Sequence, residues 1–249
     1  MIEERFFHSR FIVKNDPSLG IICMGDNMLW KASCLQNEKK RTWHSRPYEY
    51  FFIVSSMLKT FHFGIIKLDK ILDLACGIEH PGYRAIANLS QTKHIVALDT
   101  DKRLLDNGIE YPGKVYKVIG DATNTGLKKE SFDVISCVSF LEHIPNWKDA
   151  IREIYRLLIP GGMAFVTIDI SIDPAKTLKH NVDGKIPDDY KNEFERAGLH
   201  IFGSYNGELL ENTVDAICSK YPLAINESEL LKGQHNALKA FRMVLRKDA

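Results

Sequence analysis

From Lys70 onward the chain alternates short apolar runs with segments of helical period. Ile71, Leu72 and Leu74 flank Asp73 in Lys70–Leu74, an apolar run with one internal acid that reads as a strand buried on both faces. The next runs are His94–Leu98, ending in Asp99; a short strand before Ile119-Gly120; and Phe132–Ile144, with its polar, His-bearing exit. Ala150, Ile151, Ile154, Leu157 and Leu158 share one face of a helix spanning Trp147 to Leu158, with Asn146 as its cap and Pro160-Gly161-Gly162 as its terminator. A strand over Met163–Ile168, a helix over Pro187–Ala197, a strand over Leu199–Phe202 and an antiparallel edge strand over Phe241–Leu245 complete the reading. Two further helices are expected over Pro81–Leu89 and over Asp101–Asn107, the second capped by Thr100 or Asp101. Strand alternating with helix through short connections predicts an α/β core with a parallel sheet between helical layers.

Residues 1 to 68 lack that alternation and mix aromatics with charges, which predicts an N-terminal cap on a core spanning 69 to 249. Within the cap, Gly20–Met24 reads as a strand followed by the turn Gly25-Asp26-Asn27, and Pro47–Phe61 as a helix opened by proline. Residues 171 to 186 read as a loop and 206 to 238 as a helical insertion.

Composition removes several classes. The 33 basic and 32 acidic residues nearly cancel, and no Lys/Arg block is present to follow phosphates, so nucleic acid is not an expected partner. No run approaches the roughly 18 apolar residues of a membrane span, and with the charged start Met1-Ile2-Glu3-Glu4-Arg5 this gives an expectation of a cytoplasmic protein. The five cysteines, at 23, 34, 76, 137 and 218, form no CxxC pair, so neither a disulfide framework nor a zinc or iron–sulfur site is indicated.

The candidate chemistry sits at predicted strand ends. The small residues Ala75-Cys76-Gly77 let the backbone turn tightly against a ligand, and Asp99 is placed to accept hydrogen bonds from the two hydroxyls of a ribose. Those features, with Ile119-Gly120-Asp121-Ala122, Leu141-Glu142-His143-Ile144 and Pro160-Gly161-Gly162 in this order, resemble the class I S-adenosylmethionine-dependent methyltransferases over roughly residues 65 to 205. The resemblance implies a Rossmann-like, doubly wound, mostly parallel seven-stranded sheet and S-adenosylmethionine as cofactor. It further implies that Asp73, Ala75, Cys76 and Gly77 wrap the methionine part and that Asp99, with Thr100, holds the ribose. Gly120, Asp121 and Ala122 then contact adenine, and Cys137 and Val138 lie beside the sulfonium. The loop Gly77-Ile78-Glu79-His80-Pro81-Gly82 departs from the family's GxGxG, with Glu79 at the second glycine's place.

For a hydroxyl acceptor, His143 is the candidate general base, with Glu142 orienting its ring. Within Trp43-His44-Ser45-Arg46-Pro47-Tyr48-Glu49-Tyr50, the residues His44, Arg46 and Tyr50 are candidates to bind the acceptor. No metal is expected, because Ile168-Asp169-Ile170 lacks the Asp-Asn pair of catechol-type enzymes. The expected activity is O-methylation of a polar small molecule, sugar-linked in one version, with a small amine as the alternative acceptor and a catalytically silent partner subunit as the alternative role. Oligomeric state is left open.

Overall fold

A computed structural model describes residues 46–78, 82–87, 89, 91–106, 111–171, 187–202 and 238–248. In chain order these form α1 (Arg46–His62), β1 (Lys70–Leu74), α2 (Tyr83–Ala87), β2 (His94–Asp99), β3 (Val115–Ile119) and β4 (Phe132–Val138). After them come α3 (Trp147–Leu157), β5 (Leu158–Ser171), α4 (Pro187–Arg196), β6 (Leu199–Ile201) and β7 (Leu238–Lys247). The seven strands make one sheet in the order β3-β2-β1-β4-β5-β7-β6. The first five run parallel, and β7 is antiparallel to both β5 and β6. The doubly wound, Rossmann-like core expected from the sequence is therefore present.

The apolar runs are explained by burial on both faces. Leu72, Leu74, Ile135 and Cys137 belong to a cluster filled on its outer side by Trp147, Ala150, Ile151 and Ile154 of α3 and by Tyr190 and Phe194 of α4. Ile71, Ile95, Ala97 and Val134 belong to a second cluster with Ile53 and Met57 of α1 and Ile86 of α2. Helix α1 thus packs into the same apolar layer as the strands. Because side chains alternate along a strand, Asp73, two residues after Ile71 and between Leu72 and Leu74, points to the α1 face of the sheet.

Several boundaries differ from expectation. The second core helix is only a short 3-10 turn, Lys102–Leu104, although Asp101 does cap it by accepting from the Arg103 N–H. Asn146 makes no side-chain cap at α3; its backbone carbonyl accepts from the Asp149 N–H instead. Pro160-Gly161-Gly162 does not end the helix, because α3 stops at Leu157 and the chain enters β5 at once. The proline and glycines occupy an irregularity where β4 register jumps from Phe132↔Leu158 to Val134↔Met163. A Cβ on Gly162 would lie 2.9 Å from the Ile159 carbonyl oxygen, so the strands close there only because that position has no side chain. The C-terminal strand is not at the edge: β7 lies between β5 and β6, and β6 is the outer strand. The strand and turn expected over residues 20 to 27 lie outside the described residues, as does the insertion expected over 206 to 238 except for Leu238, which opens β7.

Candidate active site

The strand order reverses between β1 and β4, so the crevice at their carboxyl ends is the topological switch point, where ligands enter sheets of this kind. Asp73 and Ser136 are register partners there. Asp73 is 1% exposed, and the Ser136 hydroxyl donates to its Oδ1 at 2.7 Å. Both residues line a narrow recess completed by Ile53 and Val54 of α1, Gly82 and Ile86 at α2, and Val138 of β4.

The turn after β1 has two residues in the left-handed region, Ala75 at φ 54° and Gly77 at φ 70°. It is tied to β2 twice. The Cys76 N–H donates to the Leu98 carbonyl at 3.0 Å, and the Gly77 N–H donates to Asp99 Oδ2 at 2.8 Å. Asp99 Oδ1 accepts from the Asp101 N–H at 3.0 Å. Each carboxylate oxygen keeps a second lone pair, so these bonds orient Asp99 while leaving it able to accept from a ligand. Thr100, next in sequence, is exposed. The Cys76 thiol is buried, and burial, with the nearby Asp73 and Asp99 charges, pushes its pKa far upward. It therefore contributes backbone and packing rather than a thiolate.

On the far side of β2, the Gly120 N–H donates to the Asp99 carbonyl at 3.0 Å. A Cβ at Gly120 would meet Leu98 Cδ1 at 3.1 Å. Asp121 is exposed and turned onto its own loop, its Oδ1 accepting from both the Thr123 N–H and hydroxyl at 2.8 Å, while Ala122 is buried below.

Cys137 and Val138 end β4 as buried residues, with Ser139 beyond them in the left-handed region at φ 42°. The chain then makes a 3-10 turn, Leu141–His143. Glu142 is fully buried, whereas the His143 ring is 39% exposed. His143 Nε2 stands 3.8 Å from Glu142 Oε1, an ion-pair separation too long for a hydrogen bond.

Four polar residues at the site were not singled out by the sequence: Glu49, Ser136, Ser139 and Thr167. Glu49 of α1 is fully buried and its Oε2 accepts from two hydroxyls, those of Ser139 and of Thr167, the latter at 2.5 Å. This fixes the first turn of α1 at the carboxyl ends of β4 and β5. Arg46 and Tyr50 lie on the helix at that turn, and His44 lies outside the described residues. The signal for Glu49 was its spacing: it stands four and eight residues before Ile53 and Met57 on one buried helical stripe.

Residues 72–166 match the family model of a methyltransferase domain. The segment is similar to demethylmenaquinone methyltransferase of Leptospira interrogans, 33% identical over 107 residues, which are 40% of this chain and 42% of that one. It is similar also to sterol 24-C-methyltransferase erg-4 of Neurospora crassa, 32% identical over 105 residues, covering 40% of this chain and 27% of the other. The chain thus spans less than half the length of these curated relatives. Among solved structures, a Galdieria sulphuraria protein provisionally named a sarcosine dimethylglycine methyltransferase superposes with a TM-score of 0.59 at 16% identity, covering 82% of this chain and 85% of that one. Residues 72–166 thus carry a methyltransferase domain, and the strand order and the turn at the switch point agree with the class I S-adenosylmethionine-dependent methyltransferase fold.

Proposed function

We propose that this chain is an S-adenosylmethionine-dependent methyltransferase that methylates a hydroxyl of a polar small molecule. The observation that carries the reading is the Asp99 carboxylate, held at the switch point by the Gly77 and Asp101 N–H groups with acceptor capacity to spare. The residues present fit the cofactor: Asp99 for the ribose hydroxyls, the Asp73 turn for the amino acid end, Gly120 to Ala122 for the base, and the ends of β4 for the sulfur. When bound, S-adenosylmethionine supplies an electrophilic methyl group on a sulfonium.

The chain's own part is to align the acceptor, exclude water and remove a proton. His143 is the base in this reading, because its partly exposed ring stands just past the strand end assigned to the sulfur, and Glu142 stabilises the ring once it is protonated. His44, Arg46 and Tyr50 contact the acceptor, and residues 1 to 68 form a cap over it. Support for the cap comes from Glu49, which anchors the first turn of α1 at the ends of β4 and β5. A small-molecule acceptor fits the near-balanced charge, and among the described residues no helix is long and apolar enough to cross a membrane.

The test is incubation of the full chain with methyl-labelled S-adenosylmethionine and a panel of sugars, phenols and small amines, followed by mass spectrometry. Label on a hydroxyl oxygen supports the reading. Label on nitrogen moves the acceptor to an amine, and cofactor binding without labelled product in any metabolite pool assigns a catalytically silent subunit.

A further inference from the structure

Ser139 is a non-glycine residue in the left-handed region, a strained backbone state that persists where surroundings over-determine it. The Ser139 N–H donates to the Thr167 carbonyl at 2.9 Å and to Thr167 Oγ1 at 3.2 Å. The Ser139 and Thr167 hydroxyls in turn both donate to Glu49 Oε2. Ser139 is 4% exposed and Thr167 1%, so water does not compete at this junction. The bonds join three elements: α1, the end of β4 and β5.

We propose that Glu49 is a positioning residue for the cofactor's sulfur end: through Ser139 and Thr167 it holds the strained turn that follows β4, and so makes α1 part of the cofactor site. The inference rests on the reading that the ends of β4 lie beside the sulfur. It goes further, because it assigns a role to a buried carboxylate some ninety residues away in sequence. A glutamine there offers both hydroxyls a weaker acceptor, or an NH2 group that accepts nothing, and the turn at Ser139 then relaxes toward ordinary backbone geometry. Glycine takes a positive φ without that strain, so a glycine at 139 should no longer need the clamp.

The experiment measures S-adenosylhomocysteine affinity by calorimetry for the full chain and for Glu49→Gln, Thr167→Val, and Glu49→Gln combined with Ser139→Gly, each checked for folding by thermal denaturation. Glu49→Gln and Thr167→Val should each weaken binding about tenfold, and adding Ser139→Gly to Glu49→Gln should restore it to within about twofold. Should Glu49→Gln fail to fold, Thr167→Val with and without Ser139→Gly carries the same comparison. Wild-type affinity in the single variants, or a loss that Ser139→Gly leaves untouched, overturns the positioning role while leaving the methyltransferase reading intact. A folded wild-type chain that takes up no S-adenosylhomocysteine overturns both.

Discussion

Glu153 on α3 accepts from both the backbone N–H and the hydroxyl of Thr125, at 2.9 and 2.5 Å. Arg156, one turn along the helix, donates to both oxygens of the same carboxylate at 2.7 Å and to the Leu127 carbonyl at 2.8 Å. The loop that leaves Asp121 is thereby fastened to the helix beneath it. Burial on its own would raise the Glu153 carboxyl, but the Arg156 and Thr125 hydrogen bonds together outweigh it and hold the pKa below the ordinary glutamate value.

A depressed folded-state pKa has a definite sign. The stability it contributes is complete above the unfolded carboxylate's pKa of about 4.3 and is lost as pH falls through the lower folded value. Glu153→Gln should therefore cost about 1–2 kcal/mol at pH 7 in urea denaturation, and the gap between variant and wild type should narrow as the pH falls below about 4.3. A gap that persists unchanged into acid would show that the charge is not what matters.

Gly162 predicts a second stability effect. An alanine Cβ there would stand 2.9 Å from the Ile159 carbonyl oxygen and 3.1 Å from that of Asp133. Both are backbone atoms and cannot swing aside, so Gly162→Ala should destabilise the fold by about 2–3 kcal/mol. Chemical denaturation reads this directly.

Asp73 and Glu49 mark what the sequence makes legible and what it hides. Asp73 and Asp99 were legible because each is an acid inside or ending an apolar run, a contrast that survives whatever the rest of the chain does. Glu49 was only half legible: its place four residues before Ile53 on the apolar stripe marks it as buried, but nothing in α1 says that the partner surface offers the hydroxyls of Ser139 and Thr167. Those hydroxyls are about ninety and one hundred and twenty residues away, and only the β4–β5 pairing brings them side by side. Pro160-Gly161-Gly162 misled for a related reason: glycines that permit a close strand approach carry the same letters as glycines that stop a helix. The antiparallel character of the last strand was readable, but its place inside the sheet depends on β6, a strand of three residues.

Cys76 lies in the turn after β1, and its buried thiol is held protonated by desolvation and by the charges of Asp73 and Asp99. Brief alkylation of the native chain with iodoacetamide at pH 8, mapped by mass spectrometry, should leave Cys76 and the buried Cys137 unlabelled, and both should label after denaturation. Native labelling of Cys76 at the rate of a free thiol would contradict this account of the turn.

His143 is expected to affect turnover alone. With an accepted substrate in hand, His143→Ala should lower kcat by about 100-fold and leave S-adenosylhomocysteine affinity within about twofold of wild type. Equal turnover in the variant would remove the base from the mechanism and favour an acceptor that needs none.

The central claim is that a nucleoside cofactor is held at the β1–β4 switch point with Asp99 on its ribose. Calorimetric titration of the full chain with S-adenosylhomocysteine, beside the same titration of Asp99→Ala, tests it most directly. The account predicts a single saturable site in the wild type and affinity at least about 100-fold weaker in the variant, which loses both ribose hydrogen bonds and the anchor for the Gly77 turn. No heat of binding to a folded wild-type chain, or equal affinity in the two proteins, would contradict it.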